Sequence, residues 1–237
     1  MSGSVGQEVM HEHADVTGGW LRPAVFGASD GLVSNFALIA GVAGGTTNSE
    51  IVLLAGMAGL VAGAFSMAAG EYVSVRSQAE HAAAEIETER NEIEKRPLAE
   101  ERELAAMYVA KGLDAGLARQ VASQLSRDPS VALDVHVREE LGIDPQALPS
   151  ATVAAGSSFV AFGLGALLPV LPYIFGAEGL APAVVLTLGG LFLCGAVVTR
   201  LTAQPWWYGG LRQALIGAVA AAITFGVGSL VGTSGVT

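Results

Sequence analysis

Two sets of side chains in this sequence have the types and spacing to handle a divalent cation, and the more conspicuous is acidic. Glu85, Glu89 and Glu92 stand at i, i+4 and i+7, which puts them on one face of a helix. After Pro97, Glu100 and Glu103 repeat the pairing at i, i+3. Two Glu-x-x-Glu pairs set face to face would offer several carboxylate oxygens to one ion. Like charges at this spacing repel by roughly a few tenths of a kcal/mol per pair, so the arrangement wants a cation or solvent around it. A solvated acidic face is the plain alternative.

The second set lies in apolar sequence. Asp30 interrupts a hydrophobic run, and a carboxylate inside a bilayer span costs about 2.5–3.5 kcal/mol on insertion scales. Such a residue faces a partner or a water-filled path, unless it merely caps a break at Gly31. Met67 lies at similar depth on the next, antiparallel run, with Glu71 one turn further along the same face. Carboxylate, thioether and carboxylate at one level make a staged path for a borderline divalent ion. Carboxylate suits Fe²⁺ and Mn²⁺, and thioether adds softness, although Met67 taken alone reads as packing.

The elements that must hold these groups follow from composition. Of 237 residues, 51% are hydrophobic and 14% charged, with 31 glycines and a mean hydropathy of +0.51, which points to a membrane protein. The net charge of -10 comes mostly from the segment between Glu71 and Asp144, a surface for cations and not for nucleic acid. The one cysteine, Cys194, excludes an intrachain disulfide. Residues 1–20 read as a polar tail without a signal peptide, in which His11 and His13 are solvated side chains.

Five apolar runs are long enough to span a bilayer, at about 20 residues each: Pro23–Gly45, Ile51–Gly70, Ala151–Tyr173, Leu180–Thr199 and Gly210–Gly232. The first is broken by Ser29-Asp30-Gly31 and Ser34-Asn35; Pro169 and Pro172 kink the third or end it early. Between the second and third, residues 76–149 are charged and rich in helix formers. They are punctuated at Pro97, Gly112 to Asp114, Asp128-Pro129 and Asp144-Pro145, the last two as N-cap followed by first helical residue. No proline or C-cap separates the second run from the acidic segment, so one helix is expected to leave the bilayer carrying its carboxylates. The expected fold is an all-α membrane protein with five transmembrane helices and a helical domain inserted between the second and third. The tail covers 1–20, the first two spans 21–75, the domain 76–149 and the last three spans 150–237. Five spans put all twelve Lys and Arg on one side, with Trp20, Trp206 and Trp207 at the same interface, and the positive-inside rule then places the acidic domain in the cytosol. Gly27-x-x-x-Gly31 and Gly59-x-x-x-Gly63 allow close helix approach, within or between chains.

The strings SDGLVSNFALIAGVAG, AGAFSMAAGEYVSVRSQAE, LLPVLPY and LRQALIGAVAAAITFGVG resemble the vacuolar iron transporter family, over essentially the whole chain after residue 20. The resemblance implies a homodimer of five-span subunits that moves Fe²⁺, and often Mn²⁺, out of the cytosol in exchange for protons. It implies an ion path lined by Asp30 and Met67, and domain metal held by Glu89, Glu92, Glu100, Glu103 and Glu140. Two positions depart from the family pattern. Gly59 stands where some members carry an acidic residue, a role Glu71 could share. His136 and Val137 stand where methionine is expected, and His136 with Glu139 and Glu140 could replace the softer ligand.

The expectation is therefore a transporter and not an enzyme, with no prosthetic group. Its cargo is Fe²⁺ or Mn²⁺, with Zn²⁺ a third candidate, and its partners are protons, the bilayer and a second copy. The Ala- and Gly-rich composition suggests a bacterial inner membrane. The alternatives are a membrane-anchored ferritin-like iron oxidase and a domain that only senses metal. The oxidase needs two Glu-x-x-His motifs that the domain lacks.

Overall fold

The computed structural model describes residues 19–145, 148–199 and 204–233; His11, His13 and Arg200 lie outside the described residues. Among the described residues the chain forms nine helices and no strand. The first, α1 (Leu21–Gly45), is the first apolar run. Asn48 caps the second, α2 (Ser49–Lys95), by accepting from the amides of Glu50 at 2.8 Å and Ile51 at 3.3 Å. With no interior proline, α2 continues for 47 residues, about 70 Å at 1.5 Å per residue and more than twice a bilayer's hydrocarbon core. Its first half is apolar and its second half charged. The boundary at 75/76 therefore falls inside an unbroken helix.

The charged helices begin where their caps predict. Pro97 opens α3 (Pro97–Ala110), Asp114 caps α4 (Ala115–Leu125) and Asp128 caps α5 (Pro129–Glu139). The two Asp carboxyls accept backbone amides, Asp114 from Gly116 at 2.8 Å and Asp128 from Ser130 at 2.9 Å. The Gly116 and Leu117 amides hold Asp114 below the usual carboxylate range, and the Ser130 hydroxyl, followed by its amide, does the same for Asp128. Among the described residues no helix opens at Asp144-Pro145. Asp144 instead pairs with Arg138 at 2.9 Å, and the next helix starts at Ala151 under a Ser150 cap.

The third apolar run is divided into α6 (Ala151–Leu167) and the short α7 (Leu171–Ile174). Pro169 has no amide to continue the ladder, and the chain tightens through bonds from Leu168 to Gly165 and Val170 to Leu167. The last two elements are α8 (Ala181–Thr199) and α9 (Trp206–Thr233). Four helices, α1, α2, α8 and α9, are long and apolar enough to cross a membrane; α6, at 17 residues, is shorter. Large apolar side chains such as Leu211, Ile223 and Leu230 stand exposed along α9, a surface that water would not tolerate and lipid would.

The apolar bundle is organised around α1, which packs against α2, α6, α8 and α9. It can do so because its glycines let backbones meet. A Cβ at Gly31 would run into the Phe162 carbonyl oxygen and come within 2.9 Å of the Ala166 amide, both on α6, and one at Gly228 of α9 would strike Gly41. Gly27 faces α6 in the same way, so the Gly27/Gly31 pair works within the chain. Gly31→Ala forces two backbones apart and is expected to cost about 1–3 kcal/mol. Gly163, on the same α6, has nothing within 4 Å of its Cβ position, and Gly163→Ala is expected to be neutral or stabilising. Thermal unfolding of the two variants in detergent micelles checks the contrast.

Candidate metal sites

Packing α1 against α2 and α6 opens a cleft of about 410 Å³ in the apolar bundle, lined by Asp30, Ser34, Met67, Glu71 and Phe162 among others. The three residues singled out from spacing, Asp30, Met67 and Glu71, thus share one cavity. Met67 also packs on Ala64, Phe162 and Ala166, so its thioether is held at the wall by the core behind it. The Ser34 hydroxyl donates to the Asp30 carbonyl at 2.6 Å, which leaves the Asp30 carboxylate unclaimed by that neighbour. A carboxylate, a thioether and a second carboxylate around one opening form a donor set for a borderline divalent ion.

One residue of this region was legible only as a polar interruption. Asn35 is buried, and its amide nitrogen donates to the carbonyls of Gly56 on α2 at 3.1 Å and Ala166 on α6 at 2.7 Å. Its carbonyl oxygen has no partner and lies 2.6 Å from where a Cβ of Gly59 would be; Leu38 crowds the same spot. The space beside Gly59 is therefore taken by its neighbours, and an acidic side chain there would require Leu38 and the Asn35 oxygen to move. Glu71 is the second carboxylate that reaches the cleft.

The second cluster forms where the charged end of α2 meets α3 and α5. Glu89, Glu100 and His136 are buried, and each has a ligand atom within 4.8 Å of the others. His136 Nδ1 lies 3.0 Å from Glu89 Oε1 and 3.8 Å from Glu140 Oε2. The closer pair nonetheless lacks hydrogen-bond alignment, so Glu89 Oε1 and both ring nitrogens of His136 are buried without a hydrogen-bond partner. Orphaned donor atoms of this kind are costly unless a ligand satisfies them, and two carboxylates with an imidazole fit Fe²⁺, Mn²⁺ or Zn²⁺.

The electrostatics give the same picture. Burial pushes the Glu89 carboxyl up to about 7, and the charges of Glu140, Glu100, Glu92 and Glu103 push in the same direction. Glu100 is also raised, first by burial and then by Glu103 and Glu92, against a lowering by His136. The five glutamates anticipated for the domain therefore lie close enough to feel one another, with Glu89 and Glu100 inside and Glu92, Glu103 and Glu140 on the solvent side. Two other acidic residues are used elsewhere. Glu139 pairs with Lys111 at the end of α3 and does not join His136, and Glu85 sits 3.8 Å from His81 on the solvent side of α2.

The family model described as the VIT family matches residues 21–229. The chain is similar to "Vacuolar iron transporter 2" of Oryza sativa subsp. japonica, 34% identical over 229 residues, 94% of this chain and 93% of that protein. It is 35% identical over 225 residues to "Vacuolar iron transporter 1" of Eucalyptus grandis, covering 93% and 90%. To "Vacuolar iron transporter" of Acanthamoeba castellanii it is 40% identical over 225 residues, covering 93% and 82%.

The raised Glu89 carboxyl has a consequence for stability. The ordinary value is 4.5 and the folded value about 7, so between these the folded chain holds a proton that the unfolded chain releases. Stability of the metal-free protein is expected to fall as pH rises through this window, by about 3 kcal/mol from this group, and to flatten in Glu89→Gln. Melting temperatures of the chelator-treated protein from acid to mildly alkaline pH check the slope. A bound divalent ion is expected to reverse it.

Proposed function

Since this chain belongs to the VIT family, we propose that it carries divalent iron, and with it manganese, across a membrane as a proton-coupled exporter from the cytosol. The observation that carries the reading is the shared cleft of Asp30, Met67 and Glu71 between packed apolar helices. A charged group at such depth is retained where an ion or proton must pass.

In this reading α6 with α7 completes a five-span bundle, and the distribution of Lys and Arg turns the charged helices toward the cytosol. Residues 76–149 then act as a domain that captures cytosolic ions. Glu89, Glu100 and His136 bind the ion, and Glu92, Glu103 and Glu140 draw it in. Capture keeps ions near the entrance, where Glu71 and then Met67 and Asp30 receive them. Protons compete for the same carboxylates, which supplies the physical basis for exchange, and movement of the helices around the cleft opens it to one side at a time. A second copy of the chain would cover exposed apolar helix faces and complete the path. The relatives are vacuolar by name, whereas a bacterial inner membrane rests on composition alone. The cluster at Glu89 contains one histidine, which suits capture better than the paired Glu-x-x-His of a ferritin-like oxidase.

The reading is tested by Fe²⁺ or Mn²⁺ flux into proteoliposomes under a pH gradient. Wild type is expected to move metal, Asp30→Ala to fall to background, and Glu100→Gln to retain flux at saturating metal while losing it at low metal. If wild type moves nothing while the charged helices still bind metal, transport is the wrong function for this chain.

A further inference from the structure

The buried cluster holds one side chain that packing does not explain. His136 is 0% exposed, on a face of α5 that it shares with the buried Ala132. Both of its ring nitrogens are buried without a hydrogen-bond partner. An imidazole shut away from water in this state is costly unless something else binds it.

The surroundings of Nδ1 identify what that is. Glu89 Oε1 lies 3.0 Å away, near enough for a hydrogen bond but out of line for one. Two ligands that share one ion are out of line in this way. With nitrogen and oxygen each about 2.1 Å from the ion, the nitrogen lone pair aims at the ion, and the oxygen stands roughly 35–45° to one side at about 3.0–3.4 Å from the nitrogen. Glu140 Oε2 lies 3.8 Å from the same nitrogen, and Glu100 offers a ligand atom within 4.8 Å of those of Glu89 and His136.

We propose that Nδ1 of His136 is a ligand at the Glu89–Glu100 cluster and sets its choice of ion, ranking Fe²⁺ and Zn²⁺ above Mn²⁺. Carboxylate and water suit Mn²⁺, whereas imidazole suits iron and zinc, and affinity at a mixed nitrogen and oxygen site rises from Mn²⁺ to Fe²⁺. The proposal rests on the reading that this cluster captures the ion, and adds which ion it favours. The cleft of Asp30, Met67 and Glu71 has no imidazole in its lining and lacks this bias. Iron therefore gains more from the charged helices than manganese does.

The test uses the full-length protein in detergent and two readouts. The chain has four histidines, so His11→Gln/His13→Gln/His81→Gln leaves His136 as its only imidazole. Electron spin-echo envelope modulation of Mn²⁺ bound to this variant is expected to show a coordinated nitrogen that responds to isotope labelling of histidine. Competition against Mn²⁺ under anaerobic conditions is expected to show a preference for Fe²⁺ and Zn²⁺ that shrinks several-fold in His136→Gln. Bound Mn²⁺ without the histidine signal, or an unchanged preference in His136→Gln, overturns the proposal and leaves capture by the carboxylates standing. Equal metal binding by wild type and Glu100→Gln overturns capture itself, and the proposal with it.

Discussion

The apolar bundle depends on one buried amide. Asn35 sits where α1, α2 and α6 converge, and its nitrogen bonds to a carbonyl on each neighbour. In an apolar interior these bonds have no competition from water, so the rotation of α1 about its axis is fixed by them. That rotation decides where Asp30 goes. Five residues before Asn35 it lies about 140° round the helix, and there it opens into the cleft with Met67 and Glu71. The glycines of α1 serve the same end, since amide and carbonyls come within bonding distance only if the backbones can approach.

A second constraint is the continuity of α2. Eighteen residues separate Glu71 at the central cleft from Glu89 in the buried cluster, about 27 Å of uninterrupted helix. The helix carries one wall of the cleft and one candidate ligand of the cluster on the same rod, and the two candidate centres differ in chemistry as well as place. The cleft sets carboxylates beside a thioether; the cluster sets them beside an imidazole. In the cluster, burial raises the cost of charge on Glu89 and Glu100, so protons or a cation must share the site with them. Packing from Leu104, Ala105 and Ala122, together with the Lys111–Glu139 ion pair, holds α3, α4 and α5 around it.

The elements and the candidate donors were legible in the order of residues along the chain. Apolar runs, proline and aspartate caps and the unbroken second helix are local properties, and local propensities decide them. Helical spacing likewise put Glu89 with Glu92, Glu100 with Glu103, and Met67 with Glu71, because residues three or four apart share a face in any helix. Asp144-Pro145 shows the limit of such reasoning: it is a valid start signal, yet among the described residues no helix begins there and Asp144 pairs with Arg138.

Which of these faces met was settled by packing. Spacing could not say that His136 would stand between Glu89 and Glu140 while its neighbour Glu139 turned to Lys111, since both glutamates lie near it on the chain. Nor could it say that Asn35, seen as an interruption, would bridge two helices, or that Gly59 would be filled by Asn35 and Leu38. Burial set the separate fates of the glutamates, five of one residue type divided between a dry interior and a solvated rim. Periodicity assigns a residue to a face of its own helix; what that face meets, and how much water remains there, depends on close contacts between segments far apart in the chain.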